Sequence, residues 1–180
     1  MIPARYMLKT ILPNPSWIND LGVIDIFAVS PCMSKHFADY IQYWRHNGYW
    51  LFNKPSDMDE IVSREGKNRA DLKLFYYEVY ERQFNEHNMR WSGFEPESFV
   101  TNVEKPANAR LEGFDVVTFE AASTPVHSPL SCNGLGDVLP VNARCLFETF
   151  EEAKSALEAG KFNNSEPGPF RIFSVYSVDA

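Results

Sequence analysis

The chain has 180 residues, 44% of them hydrophobic and 14% aromatic, with 17 basic and 24 acidic side chains and a net charge of −7. That length suits one domain, the composition is globular, and no run approaches the ~18 apolar residues a membrane-spanning helix needs. Residues 91–180 carry the whole negative excess, 6 basic against 13 acidic, while residues 1–90 are balanced at 11 and 11; direct nucleic-acid binding is disfavoured, since phosphates must be neutralised by Lys and Arg.

The N-terminal Met1-Ile2-Pro3-Ala4-Arg5-Tyr6-Met7-Leu8-Lys9 breaks up any apolar stretch that could act as a secretory signal. Three cysteines, Cys32, Cys132 and Cys145, form an odd set. Together these predict a cytoplasmic protein with reduced thiols and no membrane association. Pro3, Pro13 and Pro15 exclude a long helix at the start, leaving room for a short strand over Tyr6 to Leu12. After Gly22, the run Val23-Ile24-Asp25-Ile26-Phe27-Ala28-Val29 is β-branched and apolar and stops at Ser30-Pro31, which reads as a buried strand.

From Ser34, the spacing of Phe37, Tyr40, Ile41 and Trp44 predicts a helix that stops at Gly48. Tyr49 to Phe52 is a short strand. Pro55-Ser56 opens a second helix, with Ser56 as the expected cap, Asp59 as its reciprocal carboxylate, Met58, Ile61 and Val62 inward, and Gly66 at the end. The near-continuous apolar run from Leu72 to Tyr80 predicts a central strand.

A polar connection from Asn85 to Arg110, with room for one short strand, leads to a strand over Phe114 to Glu120. Ser123 to Pro140 holds three prolines and two glycines and reads as a loop with one helical turn. Leu146-Phe147 is then followed by a Thr149-x-x-Glu152 capping box, a buried stripe of Phe150, Ala153 and Leu157, and Gly160. The last strand is expected at Phe170 to Val178.

Two segments about ninety-five residues apart share this order. Asn47 to Phe52 leads to a helix, Gly66 and the Leu72-Lys73-Leu74-Phe75 run; Asn142 to Phe147 leads to a helix, Gly160 and Phe170-Arg171-Ile172-Phe173. The pattern predicts an α+β fold with a pseudo-twofold internal duplication, a single domain of two units, about 22–84 and 113–180, joined by an irregular connection over 85–112.

Chemistry-bearing residues are few. His127, Ser128, Ser131, Cys132 and Asn133 cluster in the loop of the second unit and are the best raw material for a nucleophilic site, with Cys132 as thiolate and His127 as base, but no G-x-S-x-G elbow surrounds the serines and small polar residues near proline ordinarily satisfy turn hydrogen bonds. Cys32 and His36 form a lone C-x₃-H without the second ligand pair a zinc site needs, and Cys145 reads as a small buried hydrophobe. Glu151-Glu152 and Asp59-Glu60 sit in first helical turns, where the helix N-terminus explains them. Gly134-Leu135-Gly136 lacks the dinucleotide spacing and there is no phosphate-loop lysine, so neither cofactor nor metal is expected.

Tyr43, Trp44, Tyr49, Trp50, Phe75, Tyr76, Tyr77 and Tyr80 outnumber what one face of each element hides, and tyrosine and tryptophan are enriched where proteins bind one another. Two function classes follow. The first is a non-catalytic cytoplasmic binding protein acting by stoichiometric protein–protein interaction, of the type represented by bacterial immunity proteins that neutralise a toxin. Its contact surface would include Asp137, Glu148, Glu151, Glu152 and Glu158 and would suit a basic partner. The alternative is a small enzyme centred on Cys132 and His127.

Overall fold

The structure is a computed structural model and describes residues 1–13, 16–19, 22–30, 51–94, 103–118 and 127–179. The strands are β1 (Ile2–Lys9), β2 (Leu12–Pro13), β3 (Asp25–Ile26), β4 (Lys73–Asn85), β5 (Arg90–Gly93), β6 (Ala109–Thr118) and β7 (Phe170–Val178); the helices are α1 (Pro55–Arg64), α2 (Pro129–Cys132) and α3 (Phe150–Glu158). β1, β4, β7 and β6 lie side by side in that order, β5 pairs with the far end of β4, and β2 and β3 form a separate ribbon. Every pairing among the described residues is antiparallel, and the fold is α+β.

β4 and β7 occupy the middle because their side chains are apolar on both faces. Phe75, Tyr76, Tyr77 and Val79 of β4, and Phe170, Ile172, Phe173 and Val175 of β7, are fully buried, as expected of strands covered on both sides. α1 packs against β1, with Met58, Ile61 and Val62 inward; α3 packs against β6 and β7 through Ala153 and Leu157. One core surrounds Phe75 to Tyr77, β1 and α1, and a second joins Phe84, Val116 and Ile172 to α3 and Phe162.

The helix ends follow local chemistry. Thr149 Oγ1 accepts from Glu152 N at 3.2 Å and Glu152 Oε2 accepts from Thr149 N at 2.9 Å, the capping box expected from the sequence. α1 differs from the expectation for Ser56: Lys54 is the N-cap, without a side-chain bond, and Ser56 lies inside the helix. Pro55, whose missing N–H costs nothing in the first turn, sets that start instead, and Asp59 pairs with Arg69 at 3.2 Å. At the other ends, Gly66 and Gly160 adopt φ of 62° and 68°. Gly66 N and Lys67 N bond to Ser63 O and Val62 O, and Gly160 N and Lys161 N to Leu157 O and Ala156 O, which is the same two-bond glycine closure twice.

Each edge strand is bridged on its outer side by a phenylalanine, and β6 also by His127 at Thr118. Phe52 and Tyr6 exchange both backbone hydrogen bonds at 2.9 Å, and Phe147 and Phe114 do the same at 2.9 Å. Just before each bridge the edge strand is irregular, between Pro3 and Arg5 in β1 and between Leu111 and Gly113 in β6. The bulges put Arg5 at φ 117° and Gly113 at φ 144°, and a Cβ on Gly113 would lie 2.6 Å from Phe147 O.

Further expectations differ. The short strand expected at Leu146–Phe147 is a single bridge at Phe147, and the described residues of Tyr49–Phe52, Leu51 and Phe52, make a single bridge at Phe52. Within Val23–Val29 only Asp25–Ile26 is strand, paired with Leu12–Pro13. Apart from the exposed Ile24, the rest is buried as a covering segment, and backbone donors of this run reach Ala143 O, Arg144 O and the Asp115 carboxylate; burial and β-branching describe such a cover as well as a strand. The first strand is Ile2–Lys9 rather than Tyr6 to Leu12. The helix expected from Ser34, with Tyr43, Trp44, Tyr49 and Trp50, lies outside the described residues, as do Cys32 and His36.

Candidate protein-binding surface

The described part of the loop after β6, from His127 on, is ordered by bonds to the N-terminal segment. Pro129 starts α2, Gly134 (φ 69°) ends it, and a 3₁₀ turn follows at Leu135–Asp137. Trp17 Nε1 donates to Ser131 O at 3.0 Å, while Asn19 donates from its backbone N and from Nδ2 to the two Asp137 carboxylate oxygens, at 2.5 and 3.0 Å. Further along, Ile24 N and Asp25 N share Ala143 O, Phe27 N bonds to Arg144 O at 3.1 Å, and the Arg144 guanidinium pairs with Asp25 and lies 4.7 Å above the Phe27 ring. These bonds fix the backbone yet leave apolar side chains in water: Trp17 is 51% exposed, Ile24 62% and Val138 76%.

The carboxylates singled out from sequence fall at two places, Asp137 on this loop and Glu148, Glu151, Glu152 and Glu158 on or just before α3. Asp137 holds Asn19 beside Trp17 and Val138. Glu148, Glu151 and Glu152 gather at the start of α3, where Glu148 and Glu151 are exposed and Glu152 serves the capping box. Glu158, about 10 Å along the helix from Glu151 at 1.5 Å per residue, accepts from Trp91 Nε1 at 2.8 Å and lies 4.0 Å from Lys154.

His127 and Cys132 share the loop but have different partners. His127 exchanges both backbone bonds with Thr118, and its Nε2 meets Asn133 Oδ1 at 2.8 Å and Glu166 Oε1 at 3.6 Å. The Cys132 sulfur lies 3.9 Å from Ser131 Oγ. Ser128 Oγ donates to Asp115 Oδ2 at 2.7 Å and accepts from Ser30 N at 3.0 Å, so it ties the loop to the sheet. Cys145 is buried at φ 59°. Among the described residues no group of three or more His, Cys, Asp or Glu side chains could hold a metal ion, and no helix is long and apolar enough to cross a membrane.

Sequence reasoning passes over a buried polar group beneath this loop. Asp115 on β6 is fully buried; burial pushes its carboxyl up to about 6, against the stabilising bonds from Ser128 and Val29 N and the attraction of Lys9. Tyr77 is buried beside it, its pKa raised by burial and then by the Asp115 charge. Lys9, also fully buried, donates to Ala28 O and lies 5.9 Å from the centre of the Phe75 ring. The one signal available is an aspartate inside the apolar run Phe114 to Phe119. No family model matches the chain, and no curated protein or solved structure matches it either.

Proposed function

We propose that this protein acts by non-catalytic, stoichiometric binding of another protein through the surface that carries Trp17, Ile24 and Val138. The observation behind this reading is that three large apolar side chains are exposed on segments tied together by hydrogen bonds, Trp17 through its own indole N–H to Ser131 O, Ile24 through its backbone N to Ala143 O and Val138 through its backbone N to Leu135 O. Exposed apolar side chains on ordered segments need little ordering on binding, and exposed apolar surface is common at sites of association. The neighbouring Asp137, with Glu148, Glu151, Glu152 and Glu158 on the α3 side, favours a basic partner and chiefly accelerates encounter. Neutralisation of a toxin, as by a bacterial immunity protein, is the physiological form we put forward, in a cytoplasmic setting that rests on the odd cysteine count.

We also propose that the two halves descend from one duplicated unit, with β1 rather than Val23–Val29 as the counterpart of β6. Supporting it are the paired bridges at Phe52 and Phe147, the bulges at Arg5 and Gly113, and the matching glycine closures. The strand register is consistent as well. Tyr76 faces Tyr6, and Ser174 faces Phe114. Exchanging the halves by that correspondence carries the pair Tyr76–Tyr176 onto Ser174–Glu78, also a pair, and returns Tyr77–Val175 to itself.

The binding reading is tested by capturing partners on the purified chain at low salt. Trp17→Ala with Val138→Ser should lose a stoichiometric partner that the parent chain retains, and Glu148→Lys with Glu151→Lys should slow its association. Capture unaffected by both pairs of changes would refute this surface. A turnover abolished by Cys132→Ala or His127→Ala would put the enzyme reading in its place.

A further inference from the structure

We infer that the sheet face carrying Tyr6, Tyr76 and Tyr176 is a recognition site for a small organic ammonium ligand, filled in this structure by the chain's own Lys105. The inference goes beyond the protein-binding reading and does not depend on it. Tyr6, Tyr76 and Tyr176 are direct cross-strand partners on β1, β4 and β7, so they form one row on one face. Their ring centres are 5.3 and 5.8 Å apart along the row.

Glu78 lies two residues beyond Tyr76 on the same face. Its cross-strand neighbours are Pro3 and Ser174, neither of which carries charge. A carboxylate in the middle of a central strand, with its side chain only 16% exposed, loses hydration that the sheet does not require it to lose. The compensating cation comes from outside the sheet. Lys105, on the connection between β5 and β6, brings Nζ to 3.4 Å from Glu78 Oε1, 3.3 Å from the Tyr176 hydroxyl and 4.5 Å from the centre of the Tyr176 ring. Tyr176 in turn donates to Glu78 Oε2 at 2.8 Å.

A carboxylate beside an aromatic face is the arrangement with which proteins hold ammonium groups, through ion pairing and attraction to the ring. Two further features point to a ligand rather than to a fixed internal ion pair. The Tyr76 hydroxyl is buried at the site and has no hydrogen-bond partner among the described residues, so its oxygen can accept from an incoming N–H donor. Lys105 is a removable occupant: its side chain is 44% exposed, and its withdrawal breaks no strand pairing. The neighbouring Glu104 carbonyl accepts from Tyr6 at 3.3 Å, which holds this strap over the row. Burial opposes the Lys105 charge, but Tyr176 and Glu78 outweigh it and raise its pKa; burial raises all three tyrosines, so the hydroxyls are neutral donors at neutral pH.

The test uses n-butylammonium and tetramethylammonium as probes, with n-butanol as the uncharged control, titrated into the full chain and followed by calorimetry and by the tyrosine ring proton signals. Lys105→Met keeps the aliphatic stem and removes the internal cation. If Lys105 fills the site about nine-tenths of the time, its removal should tighten ammonium binding about tenfold. Adding Glu78→Gln should abolish that gain while the thermal midpoint confirms a folded chain. Should Glu78→Gln not fold, Tyr176→Leu in the Lys105→Met chain should abolish it instead. Equal binding by the parent and Lys105→Met chains, equal binding of butanol and butylammonium, or a gain that survives removal of Glu78 or of the Tyr176 ring, would overturn the inference.

Discussion

Replacing Asp115 by Asn should change how stability depends on pH. The carboxyl is fully buried, and its pKa rises from 3.8 to about 6, with burial as the dominant cause. A buried acid with a raised pKa holds its proton more tightly in the folded chain than in the unfolded one. Below about pH 4 both states are protonated and the site carries no charge penalty. Between about pH 4 and 6 the unfolded chain has lost the proton that the folded chain still holds, so unfolding releases it and stability falls as pH rises; above about pH 6 the folded carboxyl ionises too and the full cost persists. The difference between 3.8 and about 6 corresponds to about 3 kcal/mol. The amide of the Asp115→Asn variant would keep an oxygen for Val29 N and Ser128 Oγ but has no proton to lose. In urea titrations from about pH 4 to about pH 7.5, the variant should gain on the parent by about 3 kcal/mol across that range, whatever their gap at the acid end. Taking the difference between the chains cancels the titration of the other carboxylates. A gap independent of pH would show that Asp115 is not the group responsible. A gap moving the opposite way would mean that Lys9 and the hydrogen bonds outweigh burial and hold the folded pKa below 3.8.

Phe173→Ala, at a fully buried position in the middle of β7, should cost ~3–5 kcal/mol in urea unfolding, through lost transfer energy and a residual cavity; a loss below ~1 kcal/mol would misplace the core. Thr149→Ala removes one half of the capping box on α3 and should cost about 1 kcal/mol, measured by the same unfolding titration. Gly113→Ala should cost more than ~1 kcal/mol, because φ is 144° and the new Cβ would meet Phe147 O at 2.6 Å. At Arg5, φ 117° reverses the usual ranking of small residues in a strand: Arg5→Gly should be more stable than Arg5→Ala by about 1 kcal/mol, whereas an ordinary strand position favours Ala. Equal or better stability of Arg5→Ala would show that the bulge relaxes.

What can be read from the sequence is what depends on neighbours along the chain. The Thr149 box, the glycine closures at Gly66 and Gly160 and the strand at Phe170–Val178 are local, and each occurs in the structure where its residues predict it. Ser56 misleads because Pro55 competes for the same helix start, and Pro needs no partner there. Val23–Val29 misleads because burial and β-branching describe a covering segment as well as a strand; only the location of its backbone bonds, at Ala143, Arg144 and Asp115, separates the two. The sites are less legible still, for a geometric reason. Glu78 is ordinary between Tyr77 and Val79, and it becomes a candidate only when register places Tyr6 and Tyr176 beside it and a connection further along the chain supplies Lys105. Asp115 likewise becomes unusual only when Ser128, Tyr77 and Lys9 close over it from three other segments. A polar residue inside an apolar strand run is the one trace such sites leave in a single sequence. The fold needs no charge at such a position, so each of these residues is where a chemical or recognition role is to be tested first.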